Sequence, residues 1–362
     1  MDQGRKGKRL ITPGLIDLIF DVVDIAVIGG ARDPYEAREI IIQQRPDVII
    51  LDVEMPRMDG ITFLKKLQVH YPVPVIICSG VTEADGRVAL EAIDSGAIDV
   101  VAKPKSGGSK ALRRLGEDLA EKIHAAAVAM RPPPPIPVSA TAQPTSFRAA
   151  GLDPHRHLVV IGASTGGTEA IKDVLSNVPA DFPGTAIVQH MPEGFTKSFA
   201  DRLNEFSAMT VTEAVDGEML ELGRAFVARG GIQMTVLPAA GKRRIAYGTD
   251  ELVNRHCPSV DVLFKSAAVH ARSRGIGIIL TGMGNDGAQG LGEMRKAGAL
   301  TVAQDRKSCV VYGMPKVAFD LGAVQHTAPP NMIPATALQA VQRDANPKAQ
   351  PAARVGSSHG ER

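Results

Sequence analysis

HLVVIGASTGG, residues 157–167, is the stretch that decides the fold of the second half of this chain. Leu158 to Ile161 form an uninterrupted apolar run, which is typical of a strand buried on both faces of a parallel sheet. Gly162, Ser164 and Gly166 follow at once, and a helical pattern begins after Gly166. A buried strand that turns through glycines directly into a helix predicts a doubly wound α/β domain.

The same alternation continues toward the C-terminus. Further strands are predicted at 185–189, 275–280 and 300–304, and helices are predicted after Gly166, across 194–205 and after Asp286. The segment from about 210 to 250 consists of short alternating pieces rich in glycine, which favours an antiparallel excursion. We assign residues 157–343 to this domain, and we expect the polar residues 344–362 to be disordered.

On the N-terminal side, residues 131–156 contain four consecutive prolines and form a predicted semi-extended linker. Residues 1–130 alternate strands and helices again, and this predicts a flavodoxin-like parallel sheet. Residues 1–15 show no apolar strand, so we expect the first strand of this sheet to be missing. The strands predicted here are 22–28, 47–51, 73–78 and 99–102.

Composition sets limits on the function. The chain has 362 residues, which favours two domains, and its formal net charge of +2 gives no reason to expect nucleic acid as a partner. The three cysteines lack the spacing of a zinc site or a disulfide framework, so we expect reduced thiols in the cytoplasm. No apolar run approaches 18 residues, and therefore we expect no membrane insertion.

Gly162, Ser164 and Gly166 form a G-x-S-x-G motif at the predicted strand-to-helix turn. Such a turn exposes a serine hydroxyl at the top of a sheet, and the following helix N-terminus offers backbone N–H groups to a developing oxyanion. A glycine-rich turn after a strand also cradles phosphates, although a P-loop lysine is absent here. The motif alone favours a hydrolase and an anion-binding loop about equally.

A serine nucleophile needs a base and an acid that orients it. His190 follows the strand 185–189, and Asp286 follows the strand 275–280 at the start of a predicted helix. Asp286 could also be a simple helix N-cap, and both roles can hold together. Since the carboxyl ends of parallel strands meet at one edge of a sheet, Ser164, His190 and Asp286 form a candidate catalytic triad.

The N-terminal half carries a second set of polar residues at strand ends. Asp52 follows the strand 47–51, Ser79 follows the next strand, and Lys103 follows the one after that. A carboxylate acceptor with a hydroxyl and an ammonium group nearby would suit phosphoryl transfer to Asp52. Each residue type is common in such loops, but the three together favour a functional site.

Five segments of the second half resemble the catalytic domain of chemotaxis protein-glutamate methylesterases, the CheB family. The resemblance implies that Ser164 is the nucleophile, His190 the general base, Asp286 its orienting partner and the backbone N–H of Met283 an oxyanion donor. His256 is expected to line the cleft as a structural or substrate-contacting residue. The segments are IGASTGGTEAI, VQHMPEGFTKSFADRLN, RHCPSVDVLFKSAA, LTGMGNDGAQGL and AQDRKSCVVYGMPKVA.

LDVEMPRMDG, residues 51–60, together with Ser79 and Lys103, resembles the receiver domain of response regulators. By that resemblance Asp52 is the phosphoacceptor, Ser79 the switch hydroxyl and Lys103 the phosphate-contacting lysine. Receivers hold Mg²⁺ with an acidic pair after their first strand, and here Asp2 could supply one acid at best, with Gln3 at the position of the second. Asp52 is then the only candidate metal ligand, and the receiver is expected to be truncated or degenerate.

The resemblance implies hydrolysis of glutamyl methyl esters, and deamidation of glutamines, on methyl-accepting chemoreceptors. Catalysis would need no cofactor. A chemotaxis histidine kinase would be the phosphodonor, and the receiver would cover the active site until phosphorylation of Asp52 loosened the packing. Two alternatives stay open: a constitutive methylesterase whose receiver cannot be phosphorylated, and a binding module that does not use its catalytic residues.

Overall fold

A computed structural model describes residues 7–11, 24–80, 82–103, 108–129 and 154–345 of the chain. These residues form two α/β units, each built on its own parallel sheet. The predicted fold class, a flavodoxin-like sheet followed by a second doubly wound α/β domain, is therefore confirmed.

The first sheet has five parallel strands in the order β2-β1-β3-β4-β5. Strands β3 and β4 are continuous apolar runs because both of their faces are covered by helices. Order in the sheet reverses beside β1, so the carboxyl ends of β1 and β3 border a crevice. The strands are β1 (Gly7–Ile11), β2 (Ile25–Gly30), β3 (Val48–Asp52), β4 (Val75–Ser79) and β5 (Asp99–Ala102).

The prediction that the first strand is missing is wrong. Gly7–Ile11 forms β1 and pairs with β2 on one side and β3 on the other, so it is an inner strand of the sheet. The sequence GKRLI offers only two apolar residues, too few to be noticed as a buried strand. Backbone pairing with two neighbours, which sequence periodicity does not report, defines this strand.

Four helices accompany the first sheet: α1 (Pro34–Gln44), α2 (Gly60–His70), α3 (Glu83–Asp94) and α4 (Ser109–Val128). The first three begin at side-chain N-caps. Asp33 accepts from the backbone N–H groups of Tyr35 and Glu36, Asp59 caps α2, and Thr82 forms a capping box with Asp85. These caps fix the loops that follow the carboxyl ends of the strands.

The second sheet has seven parallel strands in the order β14-β13-β12-β6-β7-β9-β8. Because β6 lies between β7 and β12, the strand order reverses there, and the loops after these three strands meet at one crevice. The strands are β6 (Leu158–Ala163), β7 (Thr185–Gln189), β8 (Thr210–Glu213), β9 (Arg224–Val227), β12 (Gly275–Ile279), β13 (Leu300–Gln304) and β14 (His326–Ala328).

Helices cover both faces of this sheet, as the alternating pattern predicts. They are α5 (Gly167–Leu175), α6 (Thr196–Phe206), α7 (Val260–His270), α8 (Ala288–Lys296), α9 (Met314–Asp320) and α10 (Ile333–Ala345). Within the described ranges, 3-10 turns lie before β6 (Pro154–Arg156), after α7 (Arg272–Arg274) and before α10 (Pro330–Met332).

The antiparallel excursion predicted for about 210 to 250 is correct only in its second half. β10 (Met234–Ala239) and β11 (Lys242–Tyr247) form an antiparallel hairpin. β8 and β9 instead join the large sheet in parallel. Their short length and mixed polarity resemble hairpin strands, but the buried Ala225, Phe226 and Val227 complete the core of the sheet.

The two units pack against each other through α3 and α6. Gly86 of α3 comes so close to the catalytic unit that an added Cβ would lie 3.0 Å from the carbonyl oxygen of Gly194. Arg202 of α6 ion-pairs with Asp94 at the end of α3 and with Glu169 of its own domain. The N-terminal domain is therefore seated on the catalytic domain by both close backbone packing and charge.

Two predicted segments lie mostly outside the described residues. The linker assigned to 131–156 is described only from Pro154, and the tail assigned to 344–362 only as far as Ala345, where α10 ends. Within the described ranges, no helix is both long enough and apolar enough to cross a membrane.

Candidate active site

The candidate nucleophile, Ser164, follows β6 directly and is almost fully buried. Its backbone N–H donates to the carbonyl oxygen of Thr281 at 3.0 Å, and its carbonyl accepts from Gly167 N–H at 2.7 Å. Gly166 has φ +76° and is the N-cap of α5, and a Cβ there would lie 2.6 Å from the side chain of Val310. Only glycine fits this tight turn, which explains the second glycine of the motif.

His190 follows β7, the neighbouring strand, and its backbone N–H donates to the carbonyl oxygen of Ala163 at 3.1 Å. Its ring Nε2 lies 2.9 Å from Oδ2 of Asp286. The other ring nitrogen, Nδ1, is buried and has no hydrogen-bond partner in the part of the chain that the structure describes. Since Asp286 occupies Nε2, Nδ1 is the nitrogen left to take a proton from Ser164, which lines the same cavity.

Asp286 is held by the N-terminus of α7. Its carboxylate accepts from the backbone N–H of Val260 at 2.6 Å, the backbone N–H of Asp261 at 3.2 Å and the hydroxyl of Ser259 at 2.8 Å. Burial alone would raise the pKa of Asp286, but hydrogen bonds from His190, Asn254 and Ser259 hold the pKa well below its usual range. The side chain is therefore a fixed anion beside His190.

One part of the expectation for Asp286 is wrong. The sequence allowed Asp286 to be the N-cap of the helix that follows it, but the N-cap of α8 is Gly287, and no side chain caps that helix. The carboxylate turns instead to the first turn of α7, where free N–H groups and the helix dipole stabilise negative charge.

His256 lines the cavity, as expected, and its ring stacks on the ring of His190. The centroids lie 3.6 Å apart and the planes are inclined by 13°. Burial, with the charge of His190 second, lowers the pKa of His256 far below the usual range, so His256 is neutral. A neutral, stacked imidazole restricts the tilt of the His190 ring without competing with it for protons.

The predicted oxyanion donor, Met283, lies on the loop after β12. The preceding Gly282 packs against the candidate nucleophile, since a Cβ on Gly282 would lie 2.6 Å from Cβ of Ser164. Among the described residues, no carbonyl oxygen accepts the backbone N–H of Met283. The role of Met283 remains a prediction, and a free N–H one residue from this contact is consistent with it.

The residues predicted for phosphoryl transfer meet at the carboxyl edge of the first sheet. Asp52 ends β3, the buried Ser79 ends β4, and Lys103 follows β5. Lys103 Nζ ion-pairs with Asp52 Oδ2, and the backbone N–H of Lys103 donates to the carbonyl oxygen of Ser79 at 2.7 Å. The three residues therefore form one cluster.

This cluster does not fit a Mg²⁺ site by itself. Within the described ranges, no group of three or more His, Cys, Asp or Glu side chains is arranged to hold a metal ion. In the sequence, β1 is followed by Thr12, Pro13 and Gly14, so the position where an acidic pair would follow the first strand carries no carboxylate. Of the carboxylates expected around the ion, Asp52 alone is present.

The N-terminal domain covers the candidate active site with α4. Asp118, Glu121 and Lys122 of this helix line the cavity that contains Ser164 and His190. Glu121 Oε1 lies 3.6 Å from Nε2 of the stacked His256 described above. A substrate side chain reaching Ser164 must therefore pass α4.

A buried polar contact next to Ser164 joins the domains. The hydroxyl of Thr165 donates to Oδ2 of Asp99 at 2.7 Å. Lys122 Nζ donates to Oδ1 of the same carboxylate at 2.9 Å and to the carbonyl oxygen of Val100 at 2.6 Å. Thr165, Asp99 and Lys122, named here the interdomain latch, connect the start of β5 to the residue that follows the candidate nucleophile.

This architecture matches that of known proteins. Residues 159–337 match the family model "CheB methylesterase", and residues 13–111 match "Response regulator receiver domain". A protein-glutamate methylesterase/protein-glutamine glutaminase of Paraburkholderia xenovorans is 48% identical over 328 residues, which cover 88% of this chain and 90% of the relative. The chain belongs to the CheB methylesterase family.

Other members of the CheB family support the assignment. A protein-glutamate methylesterase/protein-glutamine glutaminase of Sulfurimonas denitrificans is 43% identical over 326 residues, covering 87% of this chain and 91% of the relative. The crystal structure of the Thermotoga maritima CheB methylesterase catalytic domain aligns with a TM-score of 0.50 at 37% identity, covering 51% of this chain and 98% of that domain. The N-terminal unit is a receiver domain, and its first strand is present.

Several residues of this CheB-family site were not singled out from the sequence. Asn254 and Ser259 both bond to Asp286, and Thr165 bonds to Asp99 of the receiver. Ser259 carried a signal, since a serine before Val260 and Asp261 is typical of a helix N-terminus that can stabilise a nearby anion. Thr165 and Asp99 lie 66 residues apart, and no local pattern links them.

Proposed function

We propose that this chain hydrolyses methyl esters of glutamyl side chains in a protein substrate, using Ser164, His190 and Asp286. The observation that carries the proposal is the buried Asp286–His190 pair beside Ser164, at the strand-order reversal of the second sheet. Such a pair gives serine the base that it lacks at its ordinary pKa.

The geometry suggests the course of the reaction. Ser164 Oγ attacks the ester carbonyl while His190 Nδ1 takes its proton, and the resulting charge on oxygen is placed near the N–H of Met283. The tetrahedral intermediate expels methanol with the proton from His190 and leaves an acyl-enzyme. A water molecule, deprotonated by His190, then releases the glutamate and restores Ser164. A glutamine side chain would follow the same course with ammonia as the leaving group.

No step requires a cofactor, because the nucleophile, the base and the oxyanion donor all belong to the chain. Asp286 stays ionised throughout and stabilises the imidazolium that forms in each half of the reaction. Contacts with His190, Asn254 and Ser259, the last of these just before α7, keep it ionised, which ties this property to packing rather than to solvent.

The substrates we propose are methyl-accepting chemoreceptors, and the proposed phosphodonor is a chemotaxis histidine kinase. The receiver domain and the names of the relatives support these partners. All three cysteines are free thiols, and we therefore propose that the chain works in the cytoplasm.

The regulation we propose couples Asp52 to the covered active site. A phosphoryl group on Asp52 would draw Lys103 to its oxygens in place of the present carboxylate contact. Lys103 directly follows β5, the strand that begins at Asp99 of the interdomain latch. Movement of this short strand would then weaken the contact with Thr165 and uncover Ser164.

Methanol release from methylated receptors tests the proposed activity. Replacing Ser164 with alanine should abolish it, whereas Ser176→Ala, at the exposed end of α5, should leave it unchanged because Ser176 bonds only to its own helix. Full methanol release by the Ser164→Ala protein would refute the assignment.

A small-molecule phosphodonor tests the regulation. It should accelerate methanol release by the native chain and leave the rate of an Asp52→Asn variant unchanged. Both proteins are assayed with added Mg²⁺ and again without it. Equal rates of the native chain with and without the phosphodonor would show that the receiver does not respond, whatever the activity of Ser164.

A further inference from the structure

The residues before His256 form a tight turn at the edge of the active site. Val253 and His256 exchange two backbone hydrogen bonds, of 3.0 and 2.9 Å. The central residues, Asn254 and Arg255, have φ of +51° and +71°. Two consecutive left-handed residues define a type I′ turn, and asparagine is among the few residues that adopt its first position at little cost.

The side chain of Asn254 contacts two acidic residues. Its Nδ2 donates to Oδ1 of Asp286 at 2.7 Å and to Oδ2 of Asp261 at 2.8 Å. Both carboxylates are buried, with 1% and 2% of their surfaces exposed. The amide nitrogen of asparagine has two hydrogens, and each points to one carboxylate, so its donor capacity is fully used.

The two carboxylates need this bridge. Buried acids held close together repel each other, and one of them takes up a proton unless donors stabilise both charges. Asp261 also accepts from the backbone N–H of Gly290 at 2.7 Å, whereas the other neutral donors to Asp286 come from residues 259–261. Asn254 is therefore the group that shares its hydrogens between the two acids.

The same turn reaches the base. His256, its last residue, stacks on His190, while Asn254 holds the carboxylate that bonds to His190. A four-residue turn thus contacts both members of the acid–base pair from one side.

We propose that Asn254 is a positioning residue of the active site, whose amide bridges Asp261 and Asp286 and keeps the Asp286 carboxylate turned toward His190. The inference rests on the proposed function, since it concerns how His190 is made ready to take the proton of Ser164. Asn254 acts through Asp286 and does not touch the reacting atoms.

Electrostatics agree with this geometry. Burial raises the pKa of Asp286, but the contact with His190 and then the hydrogen bond from Asn254 hold that pKa below its usual range. Any pH profile of the pair also reports on its other titratable neighbours. These are Asp261 on α7, His256 on the turn, and Asp118, Glu121 and Lys122 on α4.

Three variants of the full chain separate positioning from turn formation. Asn254→Gly keeps a residue suited to positive φ but deletes the amide, and Asn254→Asp keeps the shape but replaces the donor with a third acid. Ala240→Gly is the control, because Ala240 has φ +44° in the turn between β10 and β11, far from Asp286 in the chain. All three should unfold cooperatively, and Asn254→Gly should melt below Ala240→Gly because it leaves two buried carboxylates short of a donor.

The first readout is the rate at which a fluorophosphonate labels Ser164, measured across pH. Asn254→Gly should lower this rate about tenfold or more, the worth of a hydrogen bond to a charged group. Asn254→Asp should move the acidic limb of the profile to higher pH, because a third acid makes protonation of the cluster easier. Ala240→Gly should match the native chain.

The second readout does not depend on activity. The low-field proton resonance of the His190 Nε2–H, which reports its bond to Asp286, should shift in both Asn254 variants and not in Ala240→Gly. An unchanged resonance in Asn254→Gly, with native labelling and a native pH profile, would overturn the proposal. If Ser164 of the native chain were not labelled and the chain released no methanol from methylated receptors, the proposed function would fail, and the resonance would still decide the role of Asn254.

Discussion

The two functional edges of this molecule occupy equivalent places in two parallel sheets, yet they are built differently. In the catalytic domain, Asp286 accepts from five donors and is 1% exposed. In the receiver, the carboxylate of Asp52 meets two donors within the described ranges, Lys103 and the backbone N–H of Glu54, and its side chain is 14% exposed. A carboxylate saturated with donors can only hold its neighbour in place, whereas one with open lone pairs and solvent access can react.

The comparison also bears on α4, the receiver helix that packs on β3, β4 and β5 and lines the cavity of Ser164. A site whose groups are fixed before the substrate arrives cannot be regulated by rearranging those groups at small cost. Control of substrate access leaves those groups in place. Here Glu121 and Lys122 of the receiver line the cavity that contains Ser164. The interdomain latch then lies beside Ser164 without altering the His190–Asp286 pair.

The largest expected effect comes from removing the negative charge of Asp286 in the catalytic domain. Asp286→Asn keeps the size of the side chain but puts an amide where His190 and two backbone N–H groups all donate. By analogy with the equivalent change in serine proteases, methanol release should fall by about 10⁴-fold. Steady-state assays on methylated receptors would measure the loss.

Asp305→Asn is a suitable control for this experiment, because Asp305 also accepts from a loop N–H, that of Ser308, but away from His190. It should keep native activity. Retention of most of the activity by Asp286→Asn would show that His190 does not need a fixed anion. The difference in donor number between Asp286 and Asp52 would then not explain catalysis.

Much of this contrast could be predicted from the sequence. Ser164, His190, Asp286, Asp52, Ser79 and Lys103 all follow predicted strands, and parallel strands bring their carboxyl ends to one edge. β1 could not be predicted, since GKRLI has no alternating or continuous apolar pattern and is defined by its pairing with β2 and β3. Asn254 lies 32 residues from Asp286, and only tertiary packing joins them.

The next prediction concerns the interdomain latch and has an intermediate size. Thr165→Val removes the hydroxyl that donates to Asp99 but leaves Asp99 paired with Lys122. Loss of one buried hydrogen bond costs about 1 kcal/mol, which would favour the open arrangement about fivefold. Methanol release by the unphosphorylated chain should rise by about that factor.

Asp99→Asn tests the same contact from the receiver side, away from the loop of Ser164. The amide has one acceptor oxygen, so it cannot accept from both Thr165 and Lys122 as the two carboxylate oxygens do, and the unstimulated rate should rise as in Thr165→Val. If Thr165→Val lowered the rate while Asp99→Asn left it unchanged, Thr165 would serve the catalytic loop alone, and access would not be controlled at this point.

The smallest expected effect is a pH dependence of the covered state. Asp118 lines the interdomain cavity with 44% of its side chain exposed, and the loss of part of its hydration raises its pKa from 3.8 to about 6, against the attraction of Lys122. Because the pKa is higher in the folded chain than in the unfolded chain, the contribution of Asp118 to stability is fully present below pH 3.8 and is lost as pH rises through about 6. Between pH 4 and 7 the melting temperature of the native chain should therefore fall relative to that of Asp118→Asn, whose amide does not titrate. Glu117→Gln is the matched control on α4, since Glu117 pairs on the surface with Arg113 and should leave that fall intact. If the melting temperatures of the native chain and Asp118→Asn changed identically with pH, Asp118 would take up no proton in this range. The covering of the active site by α4 would then not depend on the titration of Asp118.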